Sequence, residues 1–149
     1  MTLFLCADRL FGEEDLVLGF RGKSKYEIVV PDAMPDAAVA RSVTDAAELL
    51  AAAFSANKIA LAVKRESDAD GAKRHFYLGP TRFAAAHGVE AGKLRGWEYV
   101  HKVVGLDVII AGHDQGDTLA GKRATSKDAV LPCEGTFFGT AEFVYRYAG

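Results

Sequence analysis

The sequence predicts a single α/β (α+β) domain, a mixed β-sheet with helices packed on it. Three observations carry that prediction. Short β-branched runs and helical patterns alternate in the order β-β-α-β-β-α-β-β-α, which is not the strict βα alternation of an all-parallel sheet. One long amphipathic helix sits between the second and third strands of that series. The chain has 149 residues, 50% hydrophobic and 26% charged. At that length a domain buries roughly 68–70% of its unfolded surface and needs no staples.

Leu16–Phe20 and Tyr26–Val30 read as strands, the second stopped by Pro31, and the Gly-containing polar turn between them predicts a hairpin. Pro35 suits a first helical turn, with Asp32 or Asp36 as its cap. Val39, Val43, Ala46, Ala47, Leu50 and Phe54 then recur at helical spacing, opposite Arg41, Thr44, Asp45 and Glu48. Ile59–Val63 reads as the next strand, and a charged loop leads to a fourth at His75–Leu78. Thr81 caps a short helix that runs to His87 and ends at Gly88. Trp97–Val104 alternates, with Trp97, Tyr99, His101 and Val103 on one face, and it turns at Gly105–Asp107 into the apolar strand Val108–Ala111. The polar stretch His113–Glu134 has no periodicity and reads as a long loop or insertion. Gly135–Gly149 is the last helix.

Composition narrows the function. A net charge of −2 and a pI near 6.1 give no electrostatic footprint for nucleic acid, and the apolar runs are too short to span a membrane. Met1–Leu10 lacks the basic start and apolar core of a secretory signal. Cys6 and Cys133 are too few for a disulfide framework and read as small buried hydrophobes, with one bridge between them left open. Gly116–Lys122 has the glycine and lysine spacing of a phosphate-binding P-loop. Arg123 replaces the hydroxyl residue that would hold Mg²⁺, and no apolar helix follows, so nucleotide binding is set aside. The four histidines match no metal spacing, and no nucleophile motif is present. No cofactor, metal site or catalytic residue is expected. Two weak ligand-binding candidates remain. Trp97 and Tyr99 share a strand face that suits sugar stacking, although packing beneath a helix is the reading favoured for such aromatics. His113 and Asp114 stand together at a strand end, where functional side chains concentrate.

The motifs taken in order carry a resemblance. They are Tyr26–Pro31, the alanine-rich helix through Ala46–Leu50, Tyr77–Thr81, the strand and turn Tyr99–Gly105, Val108–Gly112, and Gly135–Phe143. Together they resemble the non-catalytic N-terminal domain of bacterial α-glucuronidases and related uncharacterised glycoside hydrolases. The second domain of β-N-acetylhexosaminidases is similar in kind. The match covers residues 16–149 and rests on order and spacing, because each motif is short. It implies a zincin-like outline without the metal centre and a (β/α)₈ catalytic barrel that follows in the parent chain. The family's catalytic acids lie in that barrel, so none transfers to this chain. Residues 115–134 depart from the pattern, which passes quickly from the hairpin glycine to the last helix.

The expected function is therefore a non-catalytic accessory domain of a carbohydrate-active enzyme, packed on a catalytic barrel through an apolar patch on the last helix. The alternative is a self-standing carbohydrate-binding module using Trp97, Tyr99 and the loop from His113 to Asp117.

Overall fold

The computed structural model describes residues 2–5, 16–116 and 133–148. Its centre is a five-stranded mixed sheet with three helices, the α+β class that the sequence predicts. The strands are β3 (Tyr26–Val30), β4 (Val63–Arg65), β5 (Arg74–Leu78), β6 (Tyr99–Val104) and β7 (Asp107–Gly112). They lie in the order β4-β3-β5-β7-β6. The first four in that order run parallel, and β6 closes the edge as an antiparallel hairpin with β7. A separate two-stranded ribbon pairs β1 (Thr2–Leu5) with β2 (Leu16–Phe20).

Helix α1 (Ala37–Ala56) begins where Asp36 Oδ1 accepts the amides of Ala38 and Val39, so Asp36 and not Asp32 is the cap. All six of its predicted apolar positions are buried. It packs with α3 (Gly135–Tyr147) over one sheet face, where Ile28, Phe76, Leu78, Val108 and Ile110 point. Phe76 is the hub of this layer. The Tyr26 ring stacks on it at 4.7 Å, and Phe54 and Phe143 meet it edge-on at 5.6 and 5.7 Å. The other face carries Val29, Tyr77, Ile109 and Ala111 and is covered by α2 (Arg82–Ala86) with Val89 and Ala91. Thr81 Oγ1 caps α2 by accepting the Ala84 amide.

Three expectations need correction. Strands β2 and β3 do not form a hairpin. The turn at Arg21 and Gly22, both at positive φ, closes a single bridge between Phe20 and Lys23. Ser24 Oγ then donates to Leu18 O and accepts the Tyr26 amide, so the chain leaves β2 for the main sheet. The strand expected at Ile59–Val63 begins only at Val63. Ile59 still donates its amide to Phe54 O at the helix end, and the approach to β3 starts where Ala62 O accepts the Ile28 amide. Trp97 precedes β6, in a turn closed by the Glu98 amide on Arg95 O.

The stretch His113–Glu134, expected to be a loop without regular structure, begins and ends in strands that the sequence did not reveal. β8 (Asp114–Gln115) pairs antiparallel with β9 (Cys133–Glu134), so the chain leaves and returns at one point. Cys133 is buried there. Cys6, most of the P-loop-like stretch and residues 117–132 lie outside the described residues.

Candidate functional site

Strand β3 leads into α1 on one face of the sheet, and β5 leads into α2 on the other. Neighbouring parallel strands that part in this way open a crevice at their carboxyl ends, where α/β sheets tend to bind ligands. A cavity of about 240 Å³ lies there, lined by Asp36, Val39, Pro80, Gly92, His113 and Asp114 among others. It falls just below the usual ligand-pocket range of roughly 300–1,000 Å³.

Asp114 is held from three directions. Oδ1 accepts Ser42 Oγ at 2.6 Å and the Thr136 amide at 3.0 Å, and Oδ2 accepts Thr136 Oγ1 at 2.6 Å. Ser42 Oγ in turn accepts the Phe137 amide, and Thr136 Oγ1 accepts the Gly112 amide. This network ties α1, β7 and the first turn of α3. Burial pushes the Asp114 carboxyl up from its ordinary value, against the pull of Ser42, Thr136 and His113. Both of its oxygens are committed to the scaffold. That makes Asp114 a positioned anchor rather than a group aimed at a substrate.

Three segments at this end, those that follow β3, β4 and β5, are bound by charge. Arg82 reaches Asp32 Oδ2 at 2.7 Å and Glu66 Oε2 at 3.2 Å, while Glu66 also accepts the Arg82 and Phe83 amides. The Ser67 amide on Asp32 holds that carboxyl below its ordinary value.

The four ligand-binding candidates separate into two places. His113 and Asp114 line the cavity, with His113 Nε2 at 3.0 Å from Gln115 Oε1. Trp97 and Tyr99 lie against α3 instead. The Tyr99 ring is half-buried beside Gly139, whose hypothetical Cβ would sit 3.0 Å from it. His101 on the same face shares a hydrogen with Gly139 O at 2.7 Å. Packing beneath a helix thus accounts for Tyr99 and His101. Trp97 is 52% exposed and meets Phe138 edge-on at 5.1 Å. Neither aromatic lines the cavity.

Phe138 and Tyr145 stay 45% and 84% exposed on α3. Seven residues apart, they fall on one side of the helix. With Trp97 they form an aromatic strip on the outside of the helical layer, beside the Glu142–Arg146 ion pair.

Among the described residues no group of His, Cys, Asp or Glu is placed to hold a metal ion, and no helix is long and apolar enough to cross a membrane. Compared with known proteins, the chain matches no protein family, no curated protein and no solved structure.

Proposed function

We propose that this chain is a non-catalytic accessory domain of a carbohydrate-active enzyme of the glycoside hydrolase kind, seated on a (β/α)₈ catalytic barrel through the outer face of α3. The observation that carries the reading is the exposed strip of Trp97, Phe138 and Tyr145. Aromatics left in water along one side of a helix that is well packed on its other side favour a protein surface as partner. Support also comes from the ordered motifs that resemble such domains, whose last member, Gly135–Phe143, forms most of this helix. The committed Asp114 and the small cavity beside it fit a domain that leaves the chemistry to its partner.

A catalytic barrel encoded with this chain in its source supplies the test. Sedimentation of the two should give a complex, with amide exchange slowed over α3. Phe138→Ser with Tyr145→Ser should weaken the association by about tenfold or more, equivalent to about 1.4 kcal/mol, and leave the thermal midpoint near that of the parent. The absence of any encoded barrel, or no complex with one, overturns the proposal. Glycan binding lost in Trp97→Ala would then favour a self-standing carbohydrate-binding module.

A further inference from the structure

A second concavity lies at the opposite end of the sheet, away from Asp114. It is a groove of about 630 Å³ between β2, the segment that leads into β3, and the β6–β7 turn. Val17, Phe20 and Leu106 give it apolar walls and remain 39%, 49% and 42% exposed. Lys23, Lys25 and Arg74 also line it, and the Arg21 guanidinium sits 5.0 Å from the centre of the Phe20 ring.

Local bonds fix these walls. The Phe20 amide donates to Lys23 O at 2.8 Å, and the Lys23 amide donates to Phe20 O at 3.0 Å, which folds the basic turn back beside Phe20. Tyr26 Oη donates to Leu106 O at 2.6 Å and pins the far wall. Arg74 lies 6.0 Å over the Tyr26 ring. Among the described residues, no carboxylate forms an ion pair with Arg21, Lys23, Lys25 or Arg74. Asp107, near Tyr26, is engaged by the ring and amide of His75.

The same bonds exclude one kind of occupant. A peptide adding to the outer edge of β2 needs unpaired backbone groups there. Lys23 already takes both groups of Phe20, and Ser24 Oγ takes Leu18 O. What the groove offers is an apolar surface under concentrated positive charge, at a volume within the roughly 300–1,000 Å³ of small-molecule sites. We infer that it binds a small amphiphilic anion, with an aryl or alkyl body against Phe20, Val17 and Leu106 and a carboxylate, sulfonate or phosphate between Lys23, Lys25 and Arg74. This is independent of the role given to α3.

The probe is anilinonaphthalene sulfonate, followed by fluorescence and set against its uncharged relative N-phenylnaphthylamine. The sulfonate should bind saturably at one site per chain. Raising salt from about 0.1 M to about 1 M shortens electrostatic reach from about 10 Å to about 3 Å and should weaken it. Lys23→Glu, Lys25→Glu and Phe20→Ser should each lower affinity by about tenfold, the change expected when about 1.4 kcal/mol of contact is lost. Lys93→Glu, at an exposed lysine outside the groove, should leave it unchanged. Lys23 and Lys25 are exposed, so their variants remain testable if Phe20→Ser unfolds. Equal binding of the uncharged probe, indifference to both lysine variants, or the absence of a saturable site would overturn the inference.

Discussion

His75 is only 6% exposed, yet both of its ring nitrogens face acceptors. Nδ1 lies 3.2 Å from Asp107 Oδ1, and Nε2 lies 3.0 Å from Asp70 O and 3.5 Å from Glu27 Oε1. Glu27, also buried, accepts the Asp70 amide at 2.7 Å. His75→Phe would strip the buried Glu27 carboxylate and the Asp70 carbonyl of the ring beside them, and leaving a buried acceptor short of a partner costs about 1–3 kcal/mol. Urea unfolding should show that loss, and Glu27→Gln in the same chain should restore part of it. Strict additivity of the two changes would show that the side chains do not interact. Sequence reasoning picked out His113 and placed His101 on one face of a strand, but it gave His75 no role beyond strand membership. Its partners lie 32 residues away at Asp107 and five away in a loop, so no motif joins them before the strands align. Asp114 was legible as a strand-end acid. Its ties to Ser42 and Thr136, 72 and 22 residues distant, were not.

At the scale of elements, the helices were the most legible part because their signals are local. The 3.6-residue repeat of α1, the Thr81 cap and Gly88 at φ +78° each sit within a few residues of what they determine. Strand partnership is a long-range property. The polar turn after Phe20 does close, but Ser24 diverts the chain after one bridge. The seating of α3 explains two glycines in the motifs. A Cβ on Gly112 would lie 2.1 Å from Gly135 C and 2.5 Å from Thr136 N, while one on Gly135 would lie 2.6 Å from His113 N. Backbone meets backbone here, so no side chain can swing aside. Gly112→Ala should cost at least the upper part of the overpacking range of about 1–3 kcal/mol. It should also push α3 off β7, visible as faster amide exchange along the helix. Gly92→Ala, which meets nothing within 4 Å, is the control and should stay within about 0.5 kcal/mol of the parent. Equal stability of the two variants would refute the close approach.

For the molecule as a whole, two half-buried groups give stability opposite pH slopes, and both hold α3. Burial lowers the His101 imidazole from its ordinary 6.5, so the folded state favours the neutral ring. Its contribution is present above 6.5 and is lost as pH falls through the lowered value. Burial raises Asp114, so the folded state favours the protonated acid. That contribution is present in acid, below the ordinary carboxyl value, and is lost as pH rises through the raised one. In thermal midpoints measured from about pH 7 to about pH 4, His101→Gln should remove a decline on acidification and Asp114→Asn should remove a compensating gain. Profiles parallel to the parent's in both variants would remove these groups from the pH response. The fold class was legible because it follows from the order of local patterns. The cavity and the basic groove were not, because each is assembled from loops brought together only by the sheet. The two-residue ladder of Asp114–Gln115 on Cys133–Glu134 has one more consequence. It joins the segment that leaves β7 to the one that enters α3 at a single seam, so a change at Gln115 also reaches the start of that helix. The seam is therefore a keystone: the acid that ties α1 to α3 sits inside the same short ladder that launches the last helix.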